Sequence, residues 1–187
     1  MDLSPSQAKV VTGRTYAPTM DLRLRPLRRE DEAAFVAAHR EMDGEGFTFA
    51  LSWDDDTDWL AYLDVLDRQH RSIDIPPDRV PATFLVADVG GVIVGRTSVR
   101  HVLNDFLANE GGHIGYGVLR AHRRRGYATE ILRQSLIVAR AEGVDRVLVT
   151  CDDDNVGSAT VIERCGGVLD SKGEASDGTR IRRYLID

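Results

Sequence analysis

The chain has 187 residues, of which 42% are hydrophobic and 29% charged, and its 24 basic and 30 acidic residues give a formal charge of −6. This length and composition predict one globular domain and exclude collagen-like, disordered and disulfide-scaffold proteins. The negative charge argues against nucleic acid as a partner, and the two cysteines, Cys151 and Cys165, form no CxxC pair, which favours a reducing cytoplasm.

The sequence contains no run of the roughly 20 apolar residues that a membrane-spanning helix needs, so no membrane association is predicted. Residues 1–20 are polar, lack periodicity and lack the apolar region of a signal peptide. They are expected to be a disordered or loosely attached leader, followed by one domain at residues 21–187.

The first part of that domain shows one strand and two helices. Leu22 to Arg25 alternates at period two, as a strand does. Residues 30–42 and 53–70 carry apolar side chains at helical spacing, and the acidic residues 54–56 offer caps for the second helix. Residues 73–81 are expected to be a turn-rich connection.

A hairpin and a glycine-bearing strand come next. Residues 83–89 and 92–99 are β-branched runs separated by Gly90-Gly91, a pattern typical of a hairpin. Residues 103–112 are expected to form a loop. The strand that follows, at 113–119, has two interior glycines, which indicate that another group approaches its backbone closely.

The last part of the chain begins with a helical pattern from Ala128 to Ala139 that ends near Gly143. The remaining predicted elements are a strand at 146–151, a short helix at 155–165, and strands at 168–170 and 181–186. This order of helices and strands predicts a mixed α/β sheet.

The turn Arg123-Arg124-Arg125-Gly126 lies between the glycine-bearing strand and the predicted helix. Unpaired N–H groups at a helix start attract anions, and Gly126 lets a phosphate approach the backbone closely. The three arginines add positive potential. The turn therefore predicts a diphosphate site, with a solvated basic helix cap as the alternative.

Arg123, Gly126 and Ala128 match the acetyl-CoA motif Arg/Gln-x-x-Gly-x-Gly/Ala, and the chain resembles the GCN5-related N-acetyltransferases (GNAT family). The resemblance covers residues 21–187 and includes the strand at 112–118 and the Asn155-x-x-Ser158 helix start. It implies an α/β fold with a mixed, mostly antiparallel central sheet and helices on both faces. It also implies transfer of the acetyl group of acetyl-CoA to a primary amine of a small molecule or protein.

The resemblance assigns cofactor-binding roles by position. It implies that the backbone of Val118 and Leu119 pairs with the pantetheine arm, and that Asn155 hydrogen-bonds the same arm. Ser158 is a further candidate, with an ordinary first-turn polar residue as the alternative. The turn residues implied to bind the pyrophosphate region are Arg123, Arg124, Arg125, Gly126, Tyr127, Ala128 and Thr129.

The candidate proton acceptors are two. His113 stands where many relatives have a glutamate before Ile-Gly-Tyr, and an imidazole with a pKa of about 6.5 is a competent base near neutral pH. Glu110 is its rival, and a structural role for His113 is the alternative.

The proton donor for the leaving thiolate is also open. Many relatives carry a tyrosine seven residues after the asparagine, and this sequence has Ile162 there. The acid is therefore Tyr184 or Tyr116, or the thiolate leaves without one.

The acidic residues Asp54, Asp55, Asp56 and Asp58 lie where relatives build their acceptor pocket. They are expected either to receive a cationic amine or to cap a solvated helix. Their spacing matches no metal-ligand pattern, so no metal is predicted.

A second function class is a non-catalytic acyl-CoA sensor or assembly module with the same fold, and Ile162 in place of tyrosine supports it. Nucleotide hydrolysis is disfavoured because no Gly-Lys-Ser/Thr follows the turn. A homodimer is compatible with the sequence.

Overall fold

The computed structural model describes residues 21–54 and 56–187. The predicted leader at 1–20 and Asp55 of the acidic stretch lie outside the described residues. No helix in the described part of the chain combines the length and the apolar character needed to cross a membrane.

The described residues form two antiparallel sheets. The first has the strand order β1-β2-β3-β4 and the second β5-β7-β6. The strands are β1 (Leu22–Arg25), β2 (Ala82–Val89), β3 (Val92–Arg100), β4 (Ile114–Val118), β5 (Val147–Asp152), β6 (Val168–Glu174) and β7 (Arg180–Ile186). The predicted hairpin is confirmed, and both Gly90 and Gly91 have the positive φ that such a turn requires.

Four α-helices cover the sheets. They are α1 (Glu32–Asp43), α2 (Trp59–His70), α3 (Tyr127–Ala141) and α4 (Val156–Arg164). Phe84 and Val86 of β2 pack with α1 and α2 in one core cluster. Leu132 and Leu136 of α3 pack with α4 and β5 in another. Alternate residues of the strands thus feed cores on opposite faces, which confirms the predicted α/β domain with helices on both faces.

The second helix begins later than the sequence pattern indicates. The prediction starts it at Trp53, whereas α2 begins at Trp59 because Asp58 is extended and its carboxylate accepts the N–H of Ala61 at 2.9 Å. Asp54 closes a turn of its own by accepting from the Thr57 hydroxyl at 2.7 Å. Five polar residues in succession left several possible caps, and the last of them starts the helix.

The predicted loop at 103–112 contains helical structure. Residues Leu107–Gly111 form a short π-helical turn. Its packing explains the difference, because Leu107 is buried and anchors the segment. The turn ends at Gly112, whose φ is +62° and whose missing Cβ would lie 2.7 Å from the carbonyl oxygen of Leu148. Gly112 therefore allows β5 to approach the start of β4.

Candidate active site

A cavity of about 1120 Å³ runs along β4 where the two sheets meet. One side of it is lined by the loop that follows α1 and by β3, and the other by the end of β5 and by α4. The turn between β4 and α3 closes one end. The cavity therefore reaches both faces of the first sheet.

The start of β4 is hydrogen-bonded to β5, and the two strands then separate. The N–H of His113 donates to the carbonyl oxygen of Leu148 at 2.7 Å, and the N–H of Leu148 donates to Nδ1 of His113 at 2.9 Å. Beyond this contact β4 and β5 belong to different sheets in the described chain. The gap between them forms part of the cavity.

The register of β4 decides which backbone groups face the gap. The N–H of Leu119 donates to the carbonyl oxygen of Val94 at 3.0 Å, and its own carbonyl accepts from His122 at 2.8 Å. Hydrogen-bonded residues alternate along an antiparallel strand, so the backbone groups of Tyr116 and Val118 face away from β3. The N–H of Val118 thus lies where backbone pairing with a ligand is open, although the carbonyl oxygen of Val118 already accepts from Arg123. Both backbone groups of Leu119 already have partners.

The turn before α3 has the backbone of an anion site. Arg124 and Gly126 both have positive φ, +62° and +83°. Gly126 is the N-cap of α3, and no side-chain hydrogen bond caps that end. The N–H groups of the first helical turn, at Tyr127, Ala128 and Thr129, have no acceptors within the helix. All three residues line the cavity, so these donors and the helix dipole point to an anion.

The three arginines of the turn have different positions. Arg123 Nε donates to the carbonyl oxygen of Val118 at 3.0 Å, and its guanidinium pairs with Glu45. It therefore fixes the turn against β4 and the loop after α1. Arg124 is exposed and lines the cavity, whereas Arg125 is exposed but lies outside the cavity wall.

Asn155 and Ser158 lie opposite β4 across the cavity. Asn155 is the N-cap of α4, where its Oδ1 accepts the N–H of Ser158 at 2.9 Å. This leaves the amide NH2 of Asn155, which no hydrogen bond within the described chain occupies. The hydroxyl of Tyr116 lies 3.1 Å from Oγ of Ser158, so these two side chains bridge β4 and α4.

The predicted proton acceptors lie outside the cavity wall. Nδ1 of His113 already accepts from Leu148, so a neutral His113 carries its proton on Nε2 and has no second free lone pair. Burial lowers the pKa of His113, the hydrogen bond from Leu148 opposes that shift, and Arg100 adds to it. The carboxylate of Glu110 accepts from the N–H and the hydroxyl of Ser176 at 2.9 and 3.1 Å. It holds the turn between β6 and β7.

Of the two candidate tyrosines, only Tyr116 lines the cavity. Tyr184 is 1% exposed, and its hydroxyl donates to Glu163 at 3.0 Å. Ile162, at the position where many relatives have tyrosine, is fully buried in the core below α4. Burial raises the pKa of Tyr116, while its contact with Ser158 acts in the opposite direction. Tyr116 therefore remains protonated at neutral pH.

The glycines of β4 make room for side chains on the loop side of the cavity. A Cβ on Gly117 would lie 2.7 Å from the Phe47 ring, and one on Gly115 would lie 3.1 Å from Nη1 of Arg100. The sequence prediction of close approach is right, but the groups that approach are these two side chains. Arg100 was not singled out from the sequence. The signal was present in β3, where Arg96, Ser98 and Arg100 occupy every second position and therefore share one face.

The acidic stretch lies elsewhere. The described carboxylates, at Asp54, Asp56 and Asp58, do not line the cavity. The carboxylate of Asp54 closes the turn ahead of α2, and that of Asp58 caps the helix. Both cysteines are free and partly buried. Burial raises the pKa of the Cys151 thiol and of the Cys165 thiol, which suits structural rather than nucleophilic roles.

Known proteins match this chain at three levels. A model of the acetyltransferase (GNAT) domain matches residues 21–168. A curated protein of Bacillus subtilis strain 168, "Uncharacterized N-acetyltransferase YjdG", is 35% identical over 60 residues. That match spans 32% of this chain and 36% of the relative, so it covers about a third of the relative's length.

Several solved structures share the fold. An acetyltransferase of Agrobacterium tumefaciens strain C58 has a TM-score of 0.60 at 23% identity, with 96% of this chain and 99% of that chain covered. RimJ of Mycobacterium smegmatis, in complex with CoA-disulfide, has a TM-score of 0.63 at 20% identity, with 88% and 81% covered. The yncA structure of Salmonella typhimurium, with its cofactor acetyl-CoA, has a TM-score of 0.60 at 16% identity, with 89% and 94% covered.

The domain model covers most of the chain. The chain therefore belongs to the GNAT acetyltransferase family.

Proposed function

We propose that the protein is an N-acetyltransferase that transfers the acetyl group of acetyl-CoA to a primary amine. The observation that carries this proposal is the gap between β4 and β5, which opens beside the anion-binding turn and contains the Tyr116 hydroxyl. One end of the cavity suits a diphosphate, and the other contains a neutral hydrogen-bond donor. This is the combination that a thioester substrate with a long polar tail requires.

The residues around the cavity fit acetyl-CoA. The N–H groups of residues 124–129 would bind the pyrophosphate, with charge added by Arg124. The N–H of Val118 and the outward backbone groups of Tyr116 would pair with the pantetheine arm, and the free amide of Asn155 would bind the same arm. In this proposal Arg123 contributes by fixing the turn, and Leu119 by holding β4 against β3.

The chemistry is a single acyl transfer. The amine nitrogen attacks the thioester carbonyl carbon, the new C–N bond replaces the C–S bond, and the amine gives up one proton. The departing sulfur receives a proton, for which Tyr116 is the donor within the cavity wall; Tyr116 then regains its proton from solvent. The products are an N-acetyl amine and CoA thiol.

For the amine proton, the geometry favours positioning over a strong side-chain base. His113 and Glu110, the two candidates from the sequence, each use their acceptor atoms in contacts outside the cavity wall. We therefore infer that the amine reaches the thioester neutral, or loses its proton to water, and that correct placement supplies most of the rate.

The alternative is an acyl-CoA sensor without turnover. Its support in the sequence was Ile162, but Tyr116 offers a hydroxyl from the opposite wall of the gap. The geometry therefore favours the enzyme over the sensor.

Thiol release from acetyl-CoA across a panel of polyamines, aminoglycosides, amino acids and N-terminal peptides tests the function, with calorimetry of CoA binding in parallel. Turnover with any of these amines is the expected result. CoA binding without turnover across the panel would favour the sensor, and the absence of both would contradict the assignment of the cavity.

A further inference from the structure

Two arginines of β3 point into the loop side of the cavity. Arg96 is 3% exposed and Arg100 is partly buried, and both line the cavity. Among the described residues, no carboxylate oxygen lies within 4 Å of either guanidinium. Burial lowers the pKa of Arg96 and of Arg100, and for Arg96 the neighbouring charge of Arg100 adds to the shift. Two like charges therefore share a partly dry site with no counter-charge from the protein.

Arg96 has its hydrogen bonds satisfied within the fold. Its Nε donates to the carbonyl oxygen of Phe49 at 3.1 Å, its Nη1 donates to that of Gly115 at 2.9 Å, and its Nη2 donates to that of Thr48. Its guanidinium also stacks over the Phe47 ring at 4.5 Å. Arg96 thus fixes the loop after α1 against β3 and β4, and it has no fork left for a ligand.

Arg100 is different. Its guanidinium makes only two long contacts, from Nη1 to the carbonyl oxygens of Gly111 and Gly112 at 3.4 and 3.5 Å. No hydrogen bond within the described residues occupies its Nε or its Nη2. Gly115 lacks the Cβ that would press against the guanidinium, so the backbone of β4 leaves this group room. A guanidinium that is oriented through one nitrogen and has its other N–H groups unpaired can bind a carboxylate by two parallel hydrogen bonds.

The position of Arg100 separates it from the proposed diphosphate site. Arg100 lies beside Gly115, whereas the turn begins after Val118, three residues and about 10 Å further along β4. A ligand that binds its diphosphate at the turn and follows β4 has its other end near Gly115. Arg100 is therefore placed to meet the acceptor rather than the phosphates.

We propose that the acceptor is a primary amine that also bears a carboxylate, and that Arg100 binds this carboxylate. This inference rests on the proposed function, because it names the acceptor class for that reaction. Free amino acids and peptides with an acidic residue near the N-terminus both supply this chemistry. In either case Arg100 would orient the amine by holding the anionic group that accompanies it.

Matched acceptors test the proposal on the unmodified enzyme. Thiol release is measured with leucine and leucinamide, with glutamate and its diamide, and with the C-terminally amidated peptides Ser-Glu and Ser-Gln. In at least one pair, we expect kcat/KM to be about 10- to 100-fold higher for the acceptor that bears the carboxylate than for its neutral partner. This range corresponds to the free energy of hydrogen bonds to a charged group. The free amino acids and the peptides distinguish the two sources. The ammonium group of leucinamide loses its proton more readily than that of leucine, so more of the leucinamide is in the reactive neutral form. This difference favours the amide and therefore acts against the expected result.

Three variants assign the preference to a residue. Arg100→Gln is expected to raise KM for the preferred carboxylate acceptor about 10- to 100-fold and to leave its neutral partner nearly unchanged. Arg100→Lys should recover part of the preference, since it retains the charge without the fork. Arg124→Gln, at the other end of the cavity, should raise KM for acetyl-CoA without altering the preference between paired amines.

Binding separates failure of this inference from failure of the proposed function. Calorimetry with the enzyme and CoA compares the N-acetylated forms of the same three pairs. In at least one pair the compound with the carboxylate should bind more tightly than its neutral partner, whether or not turnover is seen. Turnover that treats both members of every pair alike, with Arg100→Gln lowering both equally, would overturn the inference and leave the function intact. Equal binding of the two members in every pair would overturn it even if no amine turned over. Melting temperatures of each variant show whether folding is retained.

Discussion

The Tyr116 hydroxyl lies 3.1 Å from Oγ of Ser158, and this contact crosses the gap between β4 and α4. One side chain comes from β4 and the other from α4, 42 positions apart in the sequence, and they meet inside the cavity. Because burial raises the pKa of Tyr116, its hydroxyl has a proton to donate throughout the neutral range.

Replacement of that hydroxyl is expected to slow the chemical step. Tyr116→Phe should lower kcat by about 10- to 100-fold, at or below the lower end of the range for a lost acid, and should leave KM for acetyl-CoA within about threefold. Tyr184→Phe is the matched control, because its hydroxyl donates to Glu163 outside the cavity wall and its loss should lower stability more than kcat. A kinetic defect in Tyr184→Phe with unchanged stability would instead assign the acid to Tyr184.

The turn at Gly126 is expected to fail as a diphosphate site when it gains a side chain. Gly126→Val should abolish CoA binding in calorimetry, because the β-branched side chain occupies phosphate space and the backbone has a φ of +83°. Gly143, after α3, has the same φ of +83°, and a Cβ added there would meet nothing within 4 Å. Gly143→Val therefore imposes the same backbone strain and should bind CoA normally. Equal loss in both variants would mean that strain, not the phosphate site, is being measured.

For His113, the structure changes the expected outcome. The sequence alone predicts that His113→Ala loses a general base and about 10²- to 10⁴-fold in kcat/KM. With Nδ1 accepting from Leu148, the variant instead leaves a backbone N–H without its partner, at a cost of about 1–3 kcal/mol in unfolding free energy. Urea unfolding and the pH profile of kcat/KM distinguish these outcomes.

Two further variants make that distinction sharp. His113→Asn can still accept from Leu148 and should recover stability, but it cannot act as a base at neutral pH. A profile whose acidic limb vanishes in both His113 variants, with stability intact in the asparagine one, would restore His113 as the proton acceptor. Glu110→Ala should loosen the turn at Ser176 and leave the profile unchanged, and loss of the acidic limb in that variant alone would assign the base to Glu110.

Stability should fall as the pH drops through the histidine range. Burial lowers the pKa of His101, although Glu142 opposes the shift, and His70 adds to it. The unfolded chain then binds a proton at higher pH than the folded chain does, so stability is fully present above about pH 7.5 and declines as the pH falls through about 6.5. His113 acts in the same direction.

His101 sits in a small polar cluster that makes this measurable. Its Nε2 lies 2.8 Å from the Thr83 hydroxyl, its Nδ1 lies 3.7 Å from Glu142, and Nδ1 of His70 lies 2.9 Å from the same hydroxyl. Urea unfolding between pH 5 and 8 should show a smaller decline for His101→Gln than for the parent. An increase in stability on acidification would mean that the attraction of Glu142 exceeds the effect of burial.

The sequence predicts the fold where local signals agree with tertiary packing. Gly90-Gly91 between two β-branched runs specifies a hairpin by backbone conformation alone, and the apolar stripe of α3 specifies its buried face. The predicted start of α2 was wrong because several adjacent acidic residues and a threonine are equally good N-caps. Only the packing of Trp59 and Tyr62 selects Asp58. A π-helical turn such as Leu107–Gly111 has no comparable local signature.

For the site, the residues of the turn are near one another in sequence, so their motif can be read directly. The hydrogen bonds of His113, Glu110 and Tyr184 join residues more than 20 positions apart, and no spacing rule shows that these groups already have partners. The roles of Arg100 and Phe47 depend on which face of β4 each glycine turns toward, which the sequence alone leaves open. Acetyl-CoA as co-substrate, the absence of a metal, and a homodimer stay predictions.

The alternation of β4 has a consequence for how this site can diversify. Gly115 and Gly117 face the loop side, where acceptor selectivity is proposed to lie, while Tyr116 between them faces α4 and Ser158. Substitutions of the loop-side groups that pack against these glycines, Phe47 and Arg100, can reshape the acceptor pocket, and the opposite face keeps its hydroxyl and its cofactor contacts. One short strand thus allows the acceptor specificity to change during evolution while the acetyl donor stays the same.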